Sequence, residues 1–230
     1  MATARYKETF DHGPGGWARV VDNVQPVAAL PVHDGALWSY APWWVDYNHA
    51  PPGGGYLQLL MCLQTKGPFG ETQKEVGGEN RFVTGGYSRD FTNATVNVRL
   101  KGELEAAGTS VCILIQGAQD GKVTGWVHSG KTFQVTPDYT EQSVQLVPDE
   151  SQWTCLGSRQ GREDYYGRTP LHRILSDVNV NLYLLLFPVK PRPMGPISGD
   201  PHGLRAGRDY PVWPASIGQG YVALDQIEIG

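Results

Sequence analysis

The chain has 230 residues and a formal charge of −4 from 19 basic and 23 acidic side chains; 40% of residues are hydrophobic and 18% charged. No basic stripe runs along it, so the clustered Lys and Arg that a phosphate backbone demands are missing and nucleic acid is set aside as a partner. No apolar run approaches the roughly 20 residues of a membrane-spanning helix, and 29 glycines and 17 prolines dispersed between apolar runs are expected to punctuate many short strands.

In chain order, Tyr6 to Phe10 reads as a first strand. Trp38 to Gly55, rich in aromatics and bounded by prolines and glycines, reads as a loop. Tyr56 to Leu63 is a second strand, and 67–86 is a long Gly-rich connection. From Ala94 to Lys101, Ala94, Val96, Val98 and Leu100 alternate with Thr95, Asn97, Arg99 and Lys101, a period of two that puts one face in a core and the other in water. Ser110 to Gln116 is continuously apolar in its middle, as a strand covered on both faces would be. Asp120-Gly121 signals a hairpin turn before Val123 to Val127. Thr132 to Val135 and Gln142 to Val147 follow as separate strands, divided by Pro137-Asp138.

One short helix is predicted after Thr169 as N-cap and Pro170 as first helical residue, with Leu171, Ile174 and Leu175 at helical spacing. Val178 to Val189 is the most apolar strand, and 190–220 is a second long loop. In the closing strand, Tyr221 to Ile229, the apolar set moves from Val222 and Leu224 to Ile227 and Ile229, which predicts a β-bulge at Asp225-Gln226. These elements predict a single all-β domain over 1–230: a two-sheet antiparallel β-sandwich of jelly-roll type with one short helix and long loops.

Cys62, Cys112 and Cys155 are an odd number without CxxC spacing, which argues against a disulfide framework or a zinc site. The opening residues lack a signal peptide's apolar region, so the expectation is a cytoplasmic protein, with a trimmed secreted chain as the alternative.

The segment expected to carry function is 38–49. Trp38, Tyr40, Trp43, Trp44 and Tyr47 offer flat rings, while Asp46 and His49 offer hydrogen-bonding groups, the combination that fits the C–H faces and hydroxyls of a sugar. Of Trp43 and Trp44, at least one is expected to face inward and the other to lie near a ligand cleft. A second cluster, with Arg159 and Arg162 ahead of Tyr165 and His172, suits an anionic ligand. Acid–base catalysis would draw on Asp46, His49, Tyr165 and His172. No HExxH, GxSxG, P-loop or dinucleotide fingerprint is present.

Glu8-Thr9-Phe10-Asp11 followed by Gly15-Gly16-Trp17 resembles the opening of the jelly-roll carbohydrate-binding modules and related galactose-binding-like domains, and Tyr221 to Ile229 resembles their closing strand. The resemblance implies that the first and last strands pair. It also implies a structural calcium beside them, with Glu8 and Asp225 as ligands and Asp34 as a third. Such an ion takes about six to eight oxygens.

Three functions are consistent with these features. The first is a lectin-like β-sandwich that binds a carbohydrate or other small polar ligand. The second is a sugar-active lyase, hydrolase or isomerase using the same segments. The third is a structural domain whose aromatic segment forms a homo-oligomer contact.

Overall fold

The computed structural model describes residues 5–21, 28–46, 57–67, 76–157, 164–189, 194–196, 207–209 and 218–230, with Asp46 described by its backbone only. Along the chain the strands are β1 (Tyr6–Glu8), β2 (Trp17–Arg19), β3 (Ala28–Ala29), β4 (Val32–His33), β5 (Ala36–Tyr40), β6 (Trp44–Asp46) and β7 (Leu57–Gln64). After helix α1 (Arg81–Thr84) come β8 (Thr95–Glu105), β9 (Ser110–Gln119), β10 (Lys122–Phe133), β11 (Thr140–Gln145) and β12 (Trp153–Cys155). Helix α2 (Leu171–Leu175) precedes β13 (Asn181–Phe187) and β14 (Gln219–Ile229). Among the described residues no helix is long and apolar enough to cross a membrane.

The strands form the two antiparallel sheets that the alternating pattern predicted. A front sheet runs β11-β8-β14-β5-β4, with β1 also paired to β14; a back sheet runs β12-β10-β9-β13-β7-β2-β3, with β6 also paired to β7. Leu37, Val96, Val98, Leu100, Val222 and Leu224 of the front sheet meet Leu60, Leu63, Ile113, Ile115, Leu182 and Leu184 of the back sheet in one core. Burying each such side chain contributes roughly 1.5–3 kcal/mol. The back sheet is apolar on its other face too, where Leu59, Cys62, Cys112, Leu114, Tyr183 and Leu185 form a second buried cluster. The unbroken apolar middle of β9 follows from this: Val111, Ile113 and Ile115 serve one cluster, Cys112 and Leu114 the other.

β14 organises the front sheet. Its first half pairs with β5 and its last residues with β1, while β8 lies along its other edge. Leu224 is opposite Leu100 and Gln226 opposite Arg99, so Asp225 is the extra residue of the predicted bulge. One inserted residue restores the inward direction of Ile227 and Ile229 where the neighbouring strand changes. The first and last strands pair as expected, Tyr6 with Ile229 and Glu8 with Ile227.

Other expectations need correction. The 38–49 segment is not a loop throughout, because β5 and β6 occupy part of it. Thr132 to Val135 is not a separate strand: β10 runs on to Phe133 with an irregularity after His128. The 67–86 connection contains α1. Helix α2 forms where predicted, but Pro170 occupies its N-cap and there is no side-chain cap. Thr169 is held elsewhere, since its carbonyl accepts from Trp126 Nε1 at 3.0 Å and its amide donates to Thr124 Oγ1 at 3.0 Å. The Asp120-Gly121 turn is as predicted, with φ of 51° and 76° at its two residues.

His128, on β10, is buried against Trp153, with ring centroids 4.7 Å apart, and its Nδ1 accepts from the Lys131 amide at 3.3 Å. Burial holds its imidazole below the ordinary histidine pKa. The unfolded chain therefore binds a proton more readily than the folded one. His128 contributes stability that is complete above about pH 6.5 and is lost as pH falls through and below that value. His128→Gln is expected to flatten this part of the stability–pH curve, measured by urea unfolding between pH 5 and pH 8; an unchanged slope would remove His128 from the acid response.

Candidate functional site

The aromatic run from Trp38 to Trp44 is a corner that passes from one sheet to the other and sorts its rings into three environments. β5 belongs to the front sheet, a cis Ala41–Pro42 peptide follows, and β6 pairs with β7 of the back sheet. Trp43, one of the ligand candidates from the sequence, is the inward member of the Trp43–Trp44 pair, in the core at 3% exposure. Its indole Nε1 donates to Ser39 Oγ at 2.9 Å, and the Ser39 hydroxyl donates to the Leu60 carbonyl of β7 at 2.7 Å. Trp44 is half-buried and packs on the apolar outer cluster of the back sheet. Only Trp38 and Tyr40 of the run face outward from the front sheet, alternating with inward Leu37 and Ser39.

The register across β5, β14 and β8 places partners beside these two rings. Tyr40, Tyr221 and Glu103 form one cross-strand row, and Trp38, Ala223 and Lys101 form the next. The Tyr221 ring lies 5.1 Å from Trp38 and 6.0 Å from Tyr40 between centroids, and Trp38 and Tyr40 are 5.8 Å apart. His33 of β4 stacks on Trp38 at 4.4 Å, and its Nε2 lies 3.3 Å from the Tyr40 hydroxyl. Tyr40 and His33 are exposed, while Trp38 and Tyr221 are half-buried. Because Ala223 is only a methyl group, Lys101 reaches across it and sets its Nζ 5.5 Å from the Trp38 ring centroid.

The face continues past Lys101. Tyr139, just before β11, has Lys101 Nζ and the Arg99 guanidinium each 4.6 Å from its ring centroid. Arg99 in turn donates to Asp225, the bulge residue. Partial burial first, then the negative charge of Asp225, holds the Tyr139 phenol above the usual tyrosine range. Beside this group a groove of about 380 Å³ is lined by Asn97, Arg99, Glu141, Ser143, Gln226 and Glu228. One face thus carries an aromatic patch on β4, β5 and β14 and a polar flank on β8, β11 and β14.

The other sequence candidates are distributed differently. Tyr47, His49, Arg159 and Arg162 lie outside the described residues, and Asp46 is described only as a β6 residue paired with Leu57. Tyr165 is tied to the back sheet, where its carbonyl accepts from the Val123 amide at 2.8 Å. His172 is exposed on α2, which packs on β9. The sequence reading missed Tyr221, Lys101, Arg99, His33 and Tyr139. The outward alternation of β8 and β14 marks the first three as solvent-facing, but only the strand order brings them to Trp38 and Tyr40.

The three residues expected to bind calcium are not gathered. Glu8 is 4% exposed and shares the inward side of β1 with Tyr6. Its Oε1 accepts from the Phe10 amide at 2.9 Å and from Arg81 Nη2 at 2.7 Å, and its Oε2 accepts from Arg81 Nε at 2.7 Å. Arg81 also donates to the carbonyls of His12 at 3.0 Å and Gly13 at 2.8 Å. A guanidinium therefore takes the carboxylate and carbonyl oxygens that an ion would use here. Asp225 pairs outward with Arg99, and Asp34, 89% exposed, lies 3.5 Å from His33 Nδ1. These residues do not fit one shared ion, and among the described residues no group of three or more His, Cys, Asp or Glu converges. Gly15 is required at this staple, because a Cβ there would come within 2.1 Å of Glu8 Oε2, and its φ is 62°.

No family model and no curated protein matches the chain. It is similar to a structure solved in work on endo-acting O-glycanases that prominent members of the human gut microbiota express to initiate mucin breakdown. The identity is 12%, the TM-score 0.37, and the alignment covers 97% of each chain.

The Glu8–Arg81 pair sets a test at the chain ends. Arg81→Met leaves a buried carboxylate without its cation, and urea unfolding is expected to show a loss of about 3 kcal/mol. The parent protein's midpoint is expected to be the same in calcium and in excess EDTA; a midpoint that falls on chelation would place an ion in this loop after all.

Proposed function

We propose that the protein binds carbohydrate on the outer face of its front sheet, with Trp38, Tyr40 and Tyr221 as the stacking rings. The observation that carries this reading is the placement of three aromatic side chains, with centroids 5.1–6.0 Å apart, on a strand face where water-facing residues would otherwise be polar. A pyranose offers a patch of C–H bonds ringed by hydroxyls. Rings on a sheet face match the patch, and His33, Glu103, Asp225 and the groove beyond Arg99 supply donors and acceptors at its border. The strands fix these side chains before any ligand arrives, which limits the entropy lost on binding.

A sugar-active enzyme would need two titratable groups held across one bond. Of its candidates, Tyr165 is tied to β10 and His172 sits on α2 against β9, both in the back sheet, whereas Asp46 is described only by its backbone and His49 lies outside the described residues. A homo-oligomer contact is the reading that competes for the same face, since exposed aromatics also suit an interface. Calorimetric titration with a panel of neutral and acidic oligosaccharides, alongside sedimentation of the free protein, separates the two. Tyr40→Ala and Trp38→Ala are each expected to weaken glycan binding about tenfold or more, with far-UV circular dichroism unchanged. A protein that ignores every glycan and sediments as a dimer that Tyr40→Ala dissociates would overturn the reading.

A further inference from the structure

We infer that the sugar received on this face carries an anionic group and that Lys101 is the residue that binds it. This inference rests on the carbohydrate reading of the same face. Two cations project outward from β8 beside the rings, and they differ in what they hold. Arg99 is committed, with its guanidinium bonded to Asp225 and laid over Tyr139. Lys101 forms no ion pair with a carboxylate among the described residues. Its ammonium instead sits between two rings, 4.6 Å from the Tyr139 centroid and 5.5 Å from that of Trp38. Ring faces orient an ammonium without neutralising it. Its charge is thus held in place beside the stacking surface, with no hydrogen bond from its ammonium to any of the described residues.

The neighbouring acids do not cancel this arrangement. Glu103 lies two positions along β8 in the Tyr40–Tyr221 row and makes no ion pair with Lys101, and Asp225 is taken by Arg99. A neutral sugar would leave the Lys101 charge unused. A pyranose lying on Trp38 and Tyr40 with an exocyclic carboxylate or sulfate turned toward β8 would meet it. Lysine is a compact point charge with three donors, so it accepts either acid, whereas a bidentate arginine fork would favour a planar carboxylate.

The test uses matched ligands that differ only in charge, measured by titration calorimetry. One pair is oligogalacturonate against its methyl ester, and the other is a sulfated galactan oligosaccharide against its desulfated form. The parent protein is expected to prefer the charged member of at least one pair by about tenfold, as one charge-assisted hydrogen bond supports. The pair showing the preference identifies the acid, and added salt should shrink it. Lys101→Gln should bring the ratio to about one and Lys101→Arg should retain it in part. Lys131→Gln, which removes the same charge from an exposed position on the back sheet, should leave it intact. Parent ratios near one in both pairs, with firm binding of the neutral members, would overturn the inference and leave the aromatic platform standing. A preference that survives in Lys101→Gln would overturn the assignment to Lys101. No binding of any of the four would defeat both proposals.

Discussion

The register of β14 between β5 and β8 is the constraint on which the rest of the molecule depends. Strand side chains alternate, so pairing Leu224 with Leu37 and Leu100 sends all three into the core, and the same register sends Tyr221, Trp38 and Lys101 outward together. A one-residue slip would exchange the two sets, expelling leucines and burying an ammonium. The apolar free energy of the core therefore also fixes which side chains the outer face presents. The Asp225 bulge extends this control, keeping Ile227 and Ile229 inward and giving Arg99 its carboxylate.

Much of this frame was legible in the sequence. The alternation from Thr95 to Lys101, the parity switch at Asp225 and the Asp120-Gly121 turn each reflect a local rule, and each is found where expected. β5 was not legible because its pattern is inverted. The prolines and glycines that bound 38–55 mark a loop, and within β5 it is the two large rings, Trp38 and Tyr40, that point to solvent while Ser39 points to the core. The inversion has a physical basis inside, where Ser39 joins Trp43 to the Leu60 carbonyl. Outside, the rings lean on His33, Tyr221 and one another at the surface, and departures of this kind from local rules concentrate at functional sites. Meeting the outward rings with Lys101 and Tyr221 depends on the strand order β5-β14-β8, a long-range property that no local pattern contains.

The chain ends show the same limit. The resemblance to jelly-roll modules carried over the pairing of first and last strands. It gave no sign of the Arg81 contact, because Arg81 lies 73 residues away in sequence from Glu8 and nothing near either residue announces it. The Arg81 guanidinium ties Glu8 to the His12 and Gly13 carbonyls and so links β1 to the turn that follows it.

The central claim is that a ligand meets this protein at Trp38 and not at its buried indoles. The most direct measurement is a two-dimensional ¹H–¹⁵N NMR titration that follows the tryptophan side-chain signals as a bound oligosaccharide is added. The Trp38 indole, which donates to the His33 carbonyl at the surface, should shift with ligand while those of Trp17 and Trp43, both fully inside, stay in place. Shifts confined to other signals, with Trp38 unmoved at saturation, would contradict the account.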